Sequence, residues 1–134
     1  MRKIFVDLEM CPIPKGFAAE KEICRQETIE IGAVMLDEEG EEISCFKEYV
    51  RPAYATDIPK HIERLTGIRY ETVETAASFR EVLHHFTEWC GEMDYTIYSW
   101  SDNDVLQILQ TGACRGLRPR TSAPAPPAMA CHHR

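Results

Sequence analysis

No CxxC pair occurs in the 134 residues, and the six cysteines, Cys11, Cys24, Cys45, Cys90, Cys114 and Cys131, do not have the spacing of a zinc finger. Reduced thiols in a cytoplasmic protein are therefore expected. No apolar run approaches the length of a membrane span. Met1-Arg2-Lys3 leads straight into a strand that carries acids, so no secretory signal is expected. Nor is there a surplus of positive charge: the formal net charge is −7, which argues against a broad electrostatic grip on duplex nucleic acid. A local basic groove, or a metal that inverts the charge of one site, stays compatible with that balance.

The last part of the chain lacks most of what a core is made from. All 22 acidic residues fall within 1–110, with 11 of the 15 basic ones, a balance of −11. From Thr111 onward there are four arginines and no acid, and from Gly112 no Ile, no Val and no aromatic residue, while Pro119, Pro124, Pro126 and Pro127 interrupt any periodicity. Such a segment buries too little apolar surface to offset chain entropy, so 111–134 is expected to be a low-complexity, disordered tail. The change is abrupt and comes in mid-helix, as at a truncated or frame-shifted end; a natural flexible tail is the alternative.

What is present reads as one α/β unit over 1–110. Lys3-Ile4-Phe5-Val6-Asp7-Leu8-Glu9 alternates as a strand, with Ile4, Val6 and Leu8 on one face and Asp7 and Glu9 on the other. Cys11-Pro12-Ile13-Pro14-Lys15-Gly16 reads as a loop because proline cannot donate to a ladder. Residues 17–25 are ambiguous between loop and a short helical turn. Thr28–Leu36 and Glu42–Val50, joined by Asp37-Glu38-Glu39-Gly40, form a β-hairpin. Pro59 introduces a short helix over Lys60–Leu65 that stops at Gly67. Ser78 with Glu81 is a capping-box pattern. It opens a helix whose Phe79, Val82, Leu83, Phe86, Trp89 and Cys90 recur at helical spacing, and Gly91 ends it. Tyr95–Trp100 reads as a fourth strand, and Asp102 caps a further helix through Leu109.

Two carboxylates facing the same way at the end of an apolar strand are costly if buried, and hard divalent cations such as Mg²⁺ or Mn²⁺ are the usual remedy. A strand end with two solvated acids is the plainer alternative.

The order of motifs narrows the choice. Ile4-Phe5-Val6-Asp7-Leu8-Glu9 resembles the first motif of the DnaQ-like DEDD (DEDDh-type) 3′–5′ exonucleases. Glu30-Ile31-Gly32-Ala33-Val34 is similar to that family's second strand. Ile58-Pro59 with Leu65-Thr66-Gly67-Ile68 is similar to its proline and Leu-Thr-Gly-Ile segment. Ser99-Trp100-Ser101-Asp102-Asn103-Asp104 resembles the second motif of the branch that trims RNA. The resemblance implies a ribonuclease H-like α/β fold. Its mixed sheet begins with three antiparallel strands, adds a parallel one and is flanked by helices, here with the C-terminal part missing.

The same resemblance implies hydrolysis of phosphodiester bonds at single-stranded RNA or DNA 3′ ends, RNA more than DNA, with two Mg²⁺ or Mn²⁺ ions and a mononucleotide product. Asp7, Glu9 and Asp104 would be the catalytic, metal-binding carboxylates, with Asp102 competing for the place of Asp104. Met10, Leu65, Thr66 and Trp100 would meet the nucleic acid, Trp100 by stacking, although ordinary packing explains each of them too. The family's third motif, a His followed five residues later by an Asp, is absent from these 134 residues. A weak or inactive chain is therefore expected, prone to self-association through uncovered core. A non-catalytic binding module and a gene fragment are the rival readings.

Overall fold

The computed structural model describes residues 1–99. The elements run in the order β1 (Arg2–Pro12), α1 (Ala18–Ile23), β2 (Gln26–Leu36), β3 (Glu42–Tyr49), α2 (Lys60–Thr66), α3 (Tyr70–Glu74), α4 (Phe79–Cys90) and β4 (Tyr95–Ser99). The four strands form one sheet in the order β3-β2-β1-β4. β1–β2 and β2–β3 are antiparallel, and β4 lies parallel to β1, joined to the hairpin by the helical crossover. This is the mixed sheet of a ribonuclease H-like fold.

Alternation in β1 and β2 sends Ile4, Val6, Leu8, Ile31, Ala33 and Met35 to one face, where they bury against Phe79, Val82, Phe86 and Cys90 of α4. Ser78 caps that helix by accepting from Glu81 N at 3.3 Å, as the capping-box pattern predicts. Gly91, at φ +75°, ends it. Phe46 of β3 meets the ring of Phe86 edge-on at 5.5 Å, which seals the core on the β3 side. A second core forms at the C-terminal end of β1, where Cys11 and Ile29 meet Ala55, Ile58, Ile68 and Val73, with Ile62 and Tyr70 packed alongside. No helix among the described residues is long and apolar enough to cross a membrane.

The structure changes two local expectations and resolves a third. β1 continues through Cys11 and Pro12 instead of stopping before a loop, with Pro12 paired to Gln26. Ile13 N donates to Arg25 O at 2.9 Å, so the residue before it turns its nitrogen away from β2. Among the described residues β4 pairs only with Arg2–Val6, and the nitrogen that Pro12 lacks is not on the β2 side, so the proline costs no bond to β2. The ambiguous segment holds α1, a helix of 6 residues that buries none of them. α3 was not foreseen at all: at 5 residues it is too short for an apolar period, and it is held by buried Val73. The readings placed on Trp100, on the helix after Asp102 and on 111–134 lie outside the described residues.

Candidate functional site

The face of the sheet opposite α4 holds the carboxylates singled out in the sequence. β1 presents Phe5, Asp7 and Glu9 there, and Phe5 stacks on Tyr98 of β4 with ring centroids 5.1 Å apart. Asp7 is exposed and Glu9 half-buried. The register places Gly32 opposite Asp7 and Glu30 opposite Glu9, and β3 then sets Lys47 beside Gly32 and Tyr49 beside Glu30. Asp7, Glu9 and Glu30 therefore share one patch of sheet.

Like charges directly opposite across a ladder are destabilising, so this patch opposes folding unless a cation offsets it. Lys47 supplies part of the offset, with its Nζ 4.0 Å from Glu30 Oε2 and 5.7 Å from the centre of the Tyr49 ring. At 66% exposure the ammonium is mostly hydrated, and such a pair is worth at most about 1 kcal/mol. Burial, opposed by Lys47 and reinforced by Asp7, holds the Glu30 carboxyl above its ordinary value.

Glu30 was passed over by sequence reasoning. Its place beside Glu9 depends on how two strands register across the 13–25 segment, and no local pattern encodes that.

Asp7 and Glu9 offer hard oxygen donors on one face of β1, a donor set that fits Mg²⁺ or Mn²⁺. They supply only part of a coordination shell: among the described residues, no three His, Cys, Asp or Glu side chains come together to hold a metal ion. Asp104, the expected third ligand, and Asp102, the competing choice for that place, lie outside the described residues, as does Trp100.

The remaining expected contacts gather at the far end of β1. Met10 is half-buried at the bulge where the register shifts between Glu9 and Met10. Leu65, at the end of α2, is 81% exposed. Thr66 Oγ1 donates to Ile62 O at 2.8 Å and accepts from Ile68 N at 3.0 Å, and Gly67 turns the chain at φ +73°. The Thr66 hydroxyl is thus committed to shaping the helix end. Ile62 and Ile68 dock this end of the chain on Cys11 and Ile29, so the exposed Leu65 belongs to the element that closes the carboxylate end of β1.

Glu27 also went unnoticed in the sequence. It is 1% exposed, and its carboxylate accepts from Ala53 N at 2.7 Å, Tyr54 N at 3.2 Å and Ala55 N at 2.9 Å. Burial, with the Glu27 charge second, pushes the neighbouring Cys11 thiol up to about 12.

His84 and His85 sit elsewhere. His85 Nδ1 lies 2.8 Å from Glu48 Oε1, and His84 Nε2 lies 3.1 Å from Glu88 Oε1, both on α4, which packs on the other face of the sheet.

A family model described as Exonuclease, of the RNase T type, matches residues 4–110. The chain belongs to this exonuclease family. It is DnaQ-like, and the solved structures it is similar to agree. The nuclease domain of 3′hExo, a DEDDh family member bound to rAMP, is 25% identical with a TM-score of 0.74 over 89% of this chain and 62% of that one. Cell-death related nuclease 4 (CRN-4) is 20% identical with a TM-score of 0.71, over 87% of this chain and 40% of that one. Exonuclease I of E. coli in complex with a dT13 oligonucleotide is 13% identical with a TM-score of 0.64, over 84% of this chain and 23% of that one. The last two likenesses concern the fold alone. The chain spans less than two thirds of the length of each of these three structures. No curated protein matches the sequence.

Proposed function

We propose that this chain carries the N-terminal part of a 3′–5′ exonuclease, residues 1–110, that removes mononucleotides from single-stranded 3′ ends, RNA more readily than DNA. The observation that carries this reading is the pair Asp7 and Glu9. They lie on one face of the central strand, with a third acid, Glu30, directly across the ladder from Glu9. The similar nuclease domain of 3′hExo is bound to rAMP, which supports a nucleotide ligand for this chain.

In this reading Asp7 and Glu9 hold divalent ions, with Asp104 as the third carboxylate. When bound, two such ions supply an activated water and stabilise the leaving 3′ oxygen. Carboxylates suit the task because they concentrate hard cations while keeping the site from a large net positive charge that would retain the product. Glu30 adds negative potential beside the pair, and its partner Lys47 keeps that potential from growing further. Leu65 presents an apolar surface to the terminal nucleotide, with Thr66 and Gly67 fixing where the helix stops. Met10 contacts the nucleotide through its backbone, and Trp100 stacks a base, an interaction worth about 1–3 kcal/mol.

The His and Asp of the family's third motif are absent from the 134 residues. A general base is worth about 10²–10⁴-fold in rate. In this reading a chain of these 134 residues alone would turn over more slowly than one that carries the motif, by about that factor.

The test is release of mononucleotides from 5′-labelled single-stranded RNA and DNA with Mn²⁺ present. Slow shortening from the 3′ end, abolished in Asp7→Ala, is expected, with RNA the faster substrate. Release at the rate of a complete relative would show that no further base is needed. Tight oligonucleotide binding with no release at all would favour a non-catalytic binding module.

A further inference from the structure

We infer that Glu27 is a positioning residue for nucleotide binding: its carboxylate clamps the 53–55 backbone to β2 and so sets where α2 holds Leu65 relative to Asp7 and Glu9. This rests on the proposed role of Leu65 at the terminal nucleotide.

The clamp is made from three successive backbone N–H groups, those of Ala53, Tyr54 and Ala55, which converge on one carboxylate. Concave runs of N–H groups of this kind elsewhere bind phosphate or other anions. Here a side chain of the same protein fills the concavity. The carboxylate is rooted in the ladder that carries the acids, since Glu27 pairs with Cys11 of β1, two residues beyond Glu9. From Ala55 the chain runs through buried Ile58 to Pro59 and directly into α2.

Two kinds of force hold α2 in place. Ile62 and Ile68 pack on Cys11, Ile29, Ala55 and Ile58, which gives adhesion. Apolar contact is non-directional, so it tolerates sliding of the helix over the core. Charge-assisted hydrogen bonds demand both distance and angle, and three of them on one loop remove that freedom. The clamp reaches further, because the Tyr54 ring lies 5.0 Å from Phe17 and so ties the 13–25 segment to the same loop.

The chemistry of the clamp is specific to a carboxylate. A glutamine has one acceptor oxygen, and its amide N–H₂ would face a backbone N–H, donor against donor. Glu27→Gln therefore releases at least one side of the loop. Glu27→Asp keeps the charge and both oxygens but draws the loop in by one methylene.

The experiment is calorimetric titration of the full chain with Mn²⁺ alone and then with adenosine 5′-monophosphate in saturating Mn²⁺. It compares wild type, Glu27→Gln, Glu27→Asp, Leu65→Ala and the Glu27→Gln/Leu65→Ala double variant. Glu27→Gln removes at least one charge-assisted hydrogen bond that fixes the loop, so it is expected to weaken nucleotide binding by about tenfold while Mn²⁺ affinity holds. In the double variant the two losses are expected to be non-additive, because Glu27 acts through the element that carries Leu65. Should Glu27→Gln fail to fold, the same pattern is read from Glu27→Asp and its pairing with Leu65→Ala.

Additive losses, or a parallel fall in Mn²⁺ and nucleotide affinity, overturn the inference in favour of a purely structural acid. Leu65→Ala binding like wild type overturns it too. Wild type that binds Mn²⁺ and nucleotide with Glu27→Gln unchanged sinks the positioning role alone. Wild type that binds neither sinks the functional reading and the inference with it.

Discussion

Replacing Asp7 by Asn should make the metal-free protein more stable and the Mn²⁺-loaded protein less stable than wild type. Asp7 shares its patch with Glu9, two residues along the strand, and with Glu30, diagonally across the ladder. Both spacings are about 7 Å. At that distance one pair of like charges repels by about 0.6 kcal/mol in a water-like dielectric and about 2.4 kcal/mol at the effective value for partly buried pairs. Asp7 is exposed, so the lower figure applies and screening reduces it further. The expected gain for Asp7→Asn in chelator is therefore about 0.5–1 kcal/mol, or roughly 2–5 °C in Tm.

With Mn²⁺ at a hundred times its Kd, wild type gains about 2.7 kcal/mol and the variant gains little, so the order reverses. Thermal melting of both chains in chelator and in Mn²⁺ reads this directly. Asp7→Asn melting below wild type in chelator would mean that the carboxylate is satisfied by the protein itself. Equal stabilisation of both chains by Mn²⁺ would place the ion elsewhere. Either result refutes the reasoning.

Glu30, held above its ordinary carboxyl value, keeps its proton to higher pH in the folded than in the unfolded chain. Its contribution is complete below the unfolded value near 4.5 and is lost as pH rises through the raised folded value. Glu30→Gln should therefore flatten the decline of the urea midpoint over that range, and an unchanged pH profile would count against the burial argument. Burial pushes the thiols of Cys11 and Cys90 up to about 12 and about 11, so both stay protonated at pH 8. Among the described residues only Cys45 is an exposed thiol and should label rapidly in the native chain, as peptide mapping after a timed pulse would show. Phe79 is fully buried at the start of α4, and Phe79→Ala should cost about 3–5 kcal/mol, enough to unfold much of the chain by circular dichroism at 37 °C. A melt within a few degrees of wild type would show that the core closes over the gap.

The elements with strong local signals formed where the sequence placed them. Ser78 with Glu81, and the spacing of Phe79, Val82 and Phe86, specify α4 without help from distant residues, and the alternation of Ile4, Val6 and Leu8 specifies which face of β1 is buried. That same alternation put Asp7 and Glu9 on the opposite face together. What local pattern could not supply was pairing between strands. Glu30 joins Glu9 only because β2 shifts register at the bulge, and Glu27 becomes a clamp only because the 53–55 loop folds back over it. Pro12 looked like a strand breaker, but it falls where β1 turns its nitrogen away from β2, so its missing donor costs no bond to that strand. α3, with a single buried residue, had too little sequence to announce itself.

The central claim is that Asp7 and Glu9 are metal ligands, and calorimetric titration of Mn²⁺ into wild type and into Glu9→Gln tests it most directly. Glu9→Gln keeps the size of the side chain and a polar end while removing its charge. The account predicts saturable binding to wild type that is lost in Glu9→Gln, with both chains folded by circular dichroism. Identical Mn²⁺ isotherms for the two proteins, or a folded wild type that takes up no Mn²⁺, would contradict it and leave the two acids as ordinary surface.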